Sequence, residues 1–303
     1  MGGGILMPDH FNQNRVNALL ELKDFSFSYP DQTEKALSDI NLTLSPGSFT
    51  ILCGPSGCGK STLLRQFKSM LQPHGKRSGQ ILFQGKDLKD VDARTESSLI
   101  GFVMQDPDAQ VVTDKVWHEL AFGLESLGFD TPTIRLRVAE MASYFGIQGW
   151  FYKNVDELSG GQKQLLNLAS VMAMHPSLLI LDEPTSQLDP IAASDFLETI
   201  KKINRDLGTT ILITEHRLED VFPSADQAIL MDGGRILHTG SPRECGLWMY
   251  EHKHPMFFAM PAPLQIYAQA EESVKENEAP LTVREGRQWI DLTISMREHI
   301  KAS

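Results

Sequence analysis

Nine consecutive residues contain the phosphate-loop pattern GxxxxGK[ST]: Gly54, Pro55, Ser56, Gly57, Cys58, Gly59, Lys60, Ser61 and Thr62. In such a loop the consecutive backbone N–H groups surround an anion, and the lysine reaches the β- and γ-phosphates of a nucleotide. The hydroxyl of Ser61 is the expected ligand of Mg²⁺. These residue types at this spacing predict a nucleotide site to which all nine residues contribute.

Two neighbouring carboxylates follow an apolar run further along the chain. Residues 178–181 are apolar, and Asp182 and Glu183 come directly after them. Because α/β sheets bind ligands at the carboxyl ends of their strands, we expect both carboxylates at the site. Asp182 is the expected carboxylate for Mg²⁺, and Glu183 is placed to polarise an attacking water as a general base. The structural alternative is an Asp-Glu-Pro cap at a strand end.

The segment 158–162, with the sequence LSGGQ, lies between those two motifs; we call it the signature segment. Gly160 and Gly161 carry no Cβ, so a ligand can approach their backbone closely. A helix that begins here presents unpaired N–H groups and the positive end of its dipole, and Ser159 adds a hydroxyl donor. Taken alone, the segment is equally typical of a Ser-Gly-Gly turn that caps a helix.

Short apolar segments alternate with helical segments around these motifs. Residues 48–54, 177–184 and 209–216 have the pattern of buried strands separated by helices, which predicts a mostly parallel sheet with covered faces. Residues 17–50 alternate in the strand manner, and residues 113–171 are helical in character. The predicted fold class is therefore α/β: a phosphate-loop NTPase core with a mostly parallel sheet, an antiparallel β subdomain and an inserted helical subdomain.

The composition limits the partners that the chain can have. Its 303 residues include 39 acidic and 28 basic ones, which give a net charge of −11. This charge opposes contact with a phosphate backbone, so we expect no nucleic-acid partner. Cys53, Cys58 and Cys245 form neither a disulfide framework nor a zinc pattern, which is typical of a reducing cytoplasm. No apolar run reaches the roughly 18 residues that a spanning helix needs.

The phosphate loop, the signature segment and LDEPTSQLD (residues 181–189) occur in the order that is typical of an ATP-binding cassette ATPase. The resemblance covers about residues 20–242, which we take as the ATPase domain, with a helical subdomain at about 106–170. It implies ATP and Mg²⁺ as cofactors. It also implies a dimer in which each ATP lies between one phosphate loop and the partner's signature segment.

The domain division that follows has an N-terminal extension at 1–19 and a C-terminal extension at 243–303. Residues 280–290 also resemble the linker between two cassettes in fused members of the family. If so, this chain is the first half of a longer protein. Because the chain holds every element of both half-sites, a homodimer could be competent as well, and a paralogous partner is equally compatible.

Further site residues come from the resemblance alone. Tyr29 corresponds to the aromatic residue that stacks on adenine, and Gln105 to the glutamine that contacts Mg²⁺ and water. Asp189 ends the loop that crosses the dimer interface, although Gln187 replaces a usual small residue there. His216 corresponds to the histidine that contacts the γ-phosphate.

The resemblance sorts the expected site into three sets. The catalytic set is Glu183, His216 and Gln105. The metal set is Ser61, Gln105 and Asp182. The nucleotide-binding set is Tyr29, the nine phosphate-loop residues, Ser159, Gly160, Gly161, Gln162 and Asp189. Cys58 departs from the family's usual loop at a position where the side chain matters little.

The stretch after Gln105 resembles the ATPase subunits of energy-coupling factor transporters. Those transporters import vitamins and transition-metal ions through a shared transmembrane coupling subunit. The resemblance implies that this subunit contacts the region near Gln105 and Asp108, with an arginine facing Asp108. A solvated acidic loop is the alternative for Asp108. The expected location is the cytoplasmic face of the cell membrane, and the transported substrate does not follow from the sequence.

Two other functions compete with transport. One is a soluble cassette ATPase that acts on DNA or ribosomes, which the short helical subdomain and the negative charge oppose. The other is a regulatory cassette that binds ATP without turnover, which the intact Glu183 and His216 oppose. Because the site is shared between two cassettes, a monomer should bind ATP and hydrolyse it poorly.

Overall fold

The structure, a computed structural model, describes residues 18–30, 32, 34–271 and 275–302, with side chains described as far as residue 295. The predicted N-terminal extension, residues 1–19, therefore lies almost wholly outside the described residues. None of the described helices combines the length and the apolar character that crossing a bilayer requires.

Within the described residues, ten strands form two sheets. The strands are β1 (Leu20–Ser28), β2 (Leu37–Leu44), β3 (Phe49–Cys53), β4 (Lys76–Phe83), β5 (Lys86–Asp87), β6 (Ile100–Val103), β7 (Leu178–Asp182), β8 (Thr210–Thr214), β9 (Gln227–Asp232) and β10 (Arg235–Gly240).

The same residues form ten α-helices and several short 3-10 helices. The α-helices are α1 (Lys60–Arg65), α2 (Ala93–Leu99), α3 (Val116–Ser126), α4 (Thr131–Tyr144), α5 (Gly160–Met172), α6 (Pro190–Leu207), α7 (Leu218–Val221), α8 (Pro242–Glu251), α9 (Ala262–Ala270) and α10 (Val283–Ala302). The 3-10 helices are Ser69–Leu71, Leu88–Asp90, Gln148–Trp150, Val155–Glu157, Phe222–Ser224, Pro255–Ala259 and Glu276–Glu278.

The central sheet has the strand order β10-β9-β3-β8-β7-β6. Its inner pairs are parallel, and β10 joins the edge antiparallel to β9. Every residue of β3, β7 and β8 is buried, which explains why these strands have continuous apolar sequences. Because β3, β8 and β7 are neighbours, their carboxyl ends bring the phosphate loop, His216 and Glu183 to one edge. The predicted α/β fold is confirmed.

Successive residues of the central strands face two separate cores. Leu52, Ile180 and Leu212 belong to a cluster that also contains the apolar side chains of the antiparallel sheet, which has the order β2-β1-β4-β5. Leu179 and Ile213 belong to the opposite cluster, which the helices cover. Because side chains alternate along each strand, one face of the central sheet packs on the helices and the other face packs on the antiparallel sheet.

The helical segment consists of α3 and α4 packed on α5. Leu120 and Leu124 of α3, Met141 of α4 and Leu166 of α5 belong to the helix-covered core. Because α5 begins at the signature segment and runs into this core, the packing fixes the direction in which its amino end points.

The C-terminal helices return to the same core. Cys245 of α8, Leu264 of α9 and the whole side chain of Tyr267 are fully buried there. Trp289 of α10 contacts Tyr267 edge-on at 5.3 Å between ring centroids. The described part of residues 243–303 therefore contributes to the folded core, and its use as a linker between cassettes stays a prediction.

Candidate active site

The phosphate loop connects β3 to α1 and depends on glycine at two close approaches. A Cβ at Gly54 would lie 2.0 Å from the Met231 carbonyl oxygen, and a Cβ at Gly59 would lie 2.9 Å from Met231 Cε. Gly59 also has a φ of 108°, in the region that favours glycine. At Gly54 the backbone of β9 leaves no room for a side chain, whereas at Gly59 the positive φ and the Ala36 carbonyl oxygen, 3.0 Å from the added Cβ, oppose one.

Lys60 lies over the phosphate loop with only 6% of its surface exposed. Its Nζ donates to the carbonyl oxygens of Gly54 at 2.9 Å and Pro55 at 3.0 Å. An ammonium group has three donors, so one remains for a phosphate oxygen. Cys58 is buried, and burial raises the pKa of its thiol.

Ser61 and Asp182 form a hydrogen-bonded pair at the start of α1 and the end of β7. The Ser61 hydroxyl donates to Asp182 Oδ1 at 2.8 Å, and Thr214 Oγ1 lies 3.2 Å from the same oxygen. Burial raises the pKa of Asp182, whereas the hydrogen bonds from Ser61 and Thr214 oppose that rise. The pair is therefore held together before any ligand arrives.

The donor atoms at this pair suit Mg²⁺. A serine hydroxyl, a carboxylate and the nearby Gln105 amide are hard oxygen ligands, and Mg²⁺ in proteins takes few of them alongside phosphates and water. Within the described part of the chain, no group of three or more His, Cys, Asp or Glu side chains could hold a metal alone. The hydroxyl of Ser61, the carboxylate of Asp182 and the amide oxygen of Gln105 thus fit Mg²⁺ by their chemistry.

Glu183 leaves strand β7 in a left-handed backbone conformation, with a φ of 47°. A non-glycine residue in this region is uncommon and carries some strain. Its N–H is fixed by Thr214, through the carbonyl oxygen at 3.1 Å and the hydroxyl at 3.0 Å. Strand β8 therefore holds the turn that ends β7.

The three residues of the predicted catalytic set meet at one carboxylate oxygen. His216 Nε2 lies 3.0 Å from Glu183 Oε2, and Gln105 Nε2 donates to the same oxygen at 3.3 Å. Residues 105, 183 and 216 follow β6, β7 and β8, which are neighbours in the sheet. The structure thus brings together three residues that lie far apart in the sequence.

The signature segment caps α5 with its own side chains. Ser159 Oγ accepts from the Gln162 N–H at 3.3 Å, and Gln162 Oε1 accepts from the Ser159 N–H at 3.0 Å. This capping box directs the Gln162 side chain back onto the loop and leaves the Ser159 hydroxyl hydrogen free to donate. Gly160 is exposed, and a Cβ at Gly161 would lie 3.1 Å from Ala192 Cβ of α6.

Two predicted nucleotide contacts have other partners in this chain. The Tyr29 hydroxyl is 3.0 Å from Thr62 Oγ1, so this ring lies beside the phosphate loop. Asp189 Oδ1 accepts from the N–H groups of Ile191 and Ala192, both at 3.0 Å, and so caps α6. Stacking of Tyr29 on adenine and contact of Asp189 with a nucleotide stay predictions.

Comparison with known proteins places the chain in a family. The family described as "ABC transporter" matches residues 37–186. The solved structure of cbiO1 from Clostridium perfringens, described as part of the ABC transporter complex cbiONQ, is 32% identical with a TM-score of 0.68, over 79% of this chain and 96% of that one. The chain belongs to the ABC transporter ATPases. The resemblance that the motifs indicated is therefore confirmed.

Some curated relatives of this ABC ATPase chain are longer than the chain itself. A putative ABC transporter ATP-binding protein of Bacillus anthracis is 47% identical over 243 residues, which are 80% of this chain and 44% of that protein. One from Methanosarcina acetivorans is 38% identical over 251 residues, or 82% of this chain and 39% of the relative. The chain thus spans less than half the length of these curated relatives.

A dimeric ATP-binding cassette with bound ADP and phosphate shares the fold of the ABC ATPase chain. It has 23% identity and a TM-score of 0.64, over 74% of this chain and 98% of that one.

Three polar residues of this ABC cassette were missed in the sequence. Thr214 contacts both Glu183 and Asp182, as described above, while Gln164 and Glu215 are buried among apolar neighbours with 0% and 4% exposure. Burial raises the pKa of Glu215, and hydrogen bonds from Thr185 and His216 oppose the rise. The available signal was a Gln within the apolar helix α5 and a Glu beside His216.

Proposed function

We propose that this chain is an ATP-hydrolysing subunit that powers import of a micronutrient through an ABC transporter of the energy-coupling factor type. The observation that carries the proposal is the position of Glu183 Oε2, which His216 and Gln105 share beside the Ser61–Asp182 pair. A carboxylate oriented from two sides next to a phosphate loop suits the activation of water toward a γ-phosphate.

Each residue has a separate task in hydrolysis. Lys60 and the loop N–H groups bind the phosphates, and Ser61, Asp182 and Gln105 would hold Mg²⁺, which neutralises charge on the phosphates when bound. Glu183 accepts the proton of the attacking water at its carboxylate. With Oε2 occupied by His216 and Gln105, we infer that Oε1 is the accepting oxygen.

The site is proposed to be complete only in a dimer, either of this chain or with a paralogue. The capped amino end of α5 offers the Ser159 hydroxyl and the Gly160 and Gly161 N–H groups to a nucleotide held by the other cassette. Helix amino ends stabilise anions through those donors and the dipole. Two such ends and two lysines would then enclose the two triphosphates.

A cleft beside Gln105 supports a transmembrane partner. The cleft has a volume of about 440 Å³, and its walls combine the apolar Met70, Leu71, Phe102 and Met104 with the charged Arg65, Asp106 and Asp182. Met70 is 83% exposed, which is unusual for an apolar side chain. Because methionine adapts its shape to a partner, an exposed methionine suits a binding surface. An apolar segment of a coupling subunit seated here would touch the backbone next to Gln105.

Asp108 is the second proposed contact with the coupling subunit. Its Oδ1 already pairs with Lys163 Nζ at 2.6 Å, while 68% of its side chain is exposed. An arginine of the partner would therefore meet a carboxylate that is held in place by α5. The cbiONQ assembly of cbiO1 supports the energy-coupling factor subtype, and with it a peripheral location on the cytoplasmic face. The substrate proposed is a vitamin, a vitamin precursor or a metal ion.

ATP turnover is tested with the purified chain and its Glu183→Gln variant, with and without Mg²⁺. We expect Mg²⁺-dependent hydrolysis that falls by about 10²–10⁴-fold in Glu183→Gln, with ATP affinity retained. Equal rates in the two proteins would refute the assignment of Glu183, and no turnover in either would favour a regulatory cassette.

The transport role is tested by affinity purification from detergent-solubilised membranes, with Asp108→Arg as the matched variant. We expect recovery of a small transmembrane protein whose yield falls in Asp108→Arg. Recovery of ribosomal proteins instead would end the transport proposal.

A further inference from the structure

One peptide group next to Glu183 is held from both sides by buried side chains. The carbonyl oxygen of Pro184 accepts from Gln164 Nε2 at 3.0 Å. The N–H of Thr185, which belongs to the same peptide group, donates to Glu215 Oε1 at 3.1 Å. The backbone that follows Glu183 is therefore fixed by α5 on one side and by the end of β8 on the other.

Each of these two side chains also holds a second catalytic segment. Gln164 Nε2 donates to the Met104 carbonyl oxygen at 3.1 Å, directly before Gln105. Glu215 Oε2 accepts from the N–H of His216 at 3.3 Å. Four hydrogen bonds thus form a continuous chain from the backbone of Gln105, past Glu183, to His216.

The burial of this chain makes its geometry specific. Gln164 is 0% exposed, and Glu215 and Thr185 are each 4% exposed. Both N–H groups of the Gln164 amide donate to backbone carbonyl oxygens. If the amide were flipped, its own oxygen would face those two carbonyl oxygens and repel them. Because a buried polar group without its partner is costly, these contacts favour a single arrangement of the three segments.

We propose that Gln164 and Glu215 are positioning residues that set the mutual placement of Gln105, Glu183 and His216. The proposal rests on the proposed ATPase function and adds two residues to it. Neither side chain contacts the catalytic carboxylate; each acts through the backbone beside it. Because a misplacement of about 1 Å can cost about 10²-fold in rate, loss of these hydrogen bonds should slow turnover more than it weakens ATP binding.

The test uses Gln164→Met and Glu215→Met, which keep side-chain length but remove the hydrogen bonds. Asn204→Leu is the matched control, because Asn204 Nδ2 likewise joins two carbonyl oxygens, those of Gly47 at 2.8 Å and Thr209 at 2.9 Å, away from the site. We expect kcat to fall about tenfold or more in the two Met variants, with KM for ATP within threefold of wild type. Asn204→Leu should lower Tm with kcat within threefold.

Glu215→Gln provides a rescue, since its amide oxygen can still accept from the Thr185 N–H. We expect its kcat to lie between those of wild type and Glu215→Met, and it carries the test if a Met variant does not fold. A kcat within threefold of wild type in any folded Gln164→Met or Glu215→Met protein overturns the proposal. A loss confined to KM, or an equal kcat loss in Asn204→Leu, also overturns it. A wild type that is inactive under conditions in which its dimer forms would refute the ATPase function itself.

Discussion

Glu183 Oε2 lies 3.0 Å from His216 Nε2, at the ends of two neighbouring parallel strands. The contact depends on the left-handed turn at Glu183, which Thr214 of β8 holds through two hydrogen bonds. The same strand therefore supplies the histidine and fixes the backbone of its carboxylate partner. Glu183 and His216 are expected to act as one unit.

Acting as a unit makes the effects of substitution non-additive. Glu183→Gln should lower kcat by about 10²–10⁴-fold, and adding His216→Ala should lower it little further, because the histidine then has no catalytic carboxylate to orient. Steady-state ATPase assays of the two single variants and the double variant measure this. Losses that multiply in the double variant would mean that His216 works independently of Glu183.

A shared site predicts complementation between two inactive chains. Lys60→Ala removes the lysine that is proposed to bind phosphate, and Ser159→Arg blocks the proposed donor end of α5. In an equal mixture, half of the dimers are mixed and each has one intact site, so we expect about a quarter of wild-type ATPase activity. Lys60→Ala mixed with Glu183→Gln is the control, and it should recover nothing because both residues serve the same site.

The approach of Gly161 to Ala192 predicts a coupled pair between α5 and α6. Gly160→Ala, with nothing within 4 Å of the new Cβ, should gain a few tenths to about 1 kcal/mol in the free energy of unfolding. Gly161→Ala should gain less, since its Cβ would lie 3.1 Å from Ala192 Cβ. Urea titrations should show that Ala192→Gly costs less in the Gly161→Ala background. A cycle without coupling would contradict the contact.

Because Lys68 is partly buried, we expect the free energy of unfolding to depend on pH in the alkaline range. Burial lowers the pKa of Lys68 from 10.5 to about 8, although Nζ donates to the carbonyl oxygens of Ser97 and Ile100. Between these two pKa values the unfolded chain keeps a proton that the folded chain has released, so stability rises with pH. From about pH 7.5 to about pH 9.5 the wild type should gain roughly 2 kcal/mol relative to Lys68→Met. Parallel pH curves would contradict this.

The places of Lys60, Ser61 and Asp182 in the fold could be predicted because motif spacing reflects local backbone chemistry. A phosphate loop between a strand and a helix fixes Lys60 and Ser61 at the start of α1. The apolar run before Asp182 predicts a buried strand with Asp182 at its carboxyl end. The convergence of Gln105, Glu183 and His216 follows from the order of the parallel strands, which the resemblance supplied and the residue pattern did not.

Other contacts could not be predicted because they depend on tertiary packing. A glutamine within an apolar helical stretch indicates burial, but nothing in the sequence shows which backbone groups Gln164 binds, or that Asp108 is paired with Lys163. The packing of helices α8, α9 and α10 on the core likewise depends on tertiary contacts, such as that between Tyr267 and Trp289.

The helix α5 has a consequence for how two ATP molecules affect each other. In the proposed dimer its amino end would present Ser159 to the partner's nucleotide, while Gln164, one turn later, holds the backbone beside this chain's own Gln105 and Glu183. Occupancy of one nucleotide pocket in that dimer would therefore carry a coupling free energy for the other, and thermodynamic linkage would make it reciprocal for binding. Two ATP molecules in one dimer should bind cooperatively, with the rigid helix as the connection.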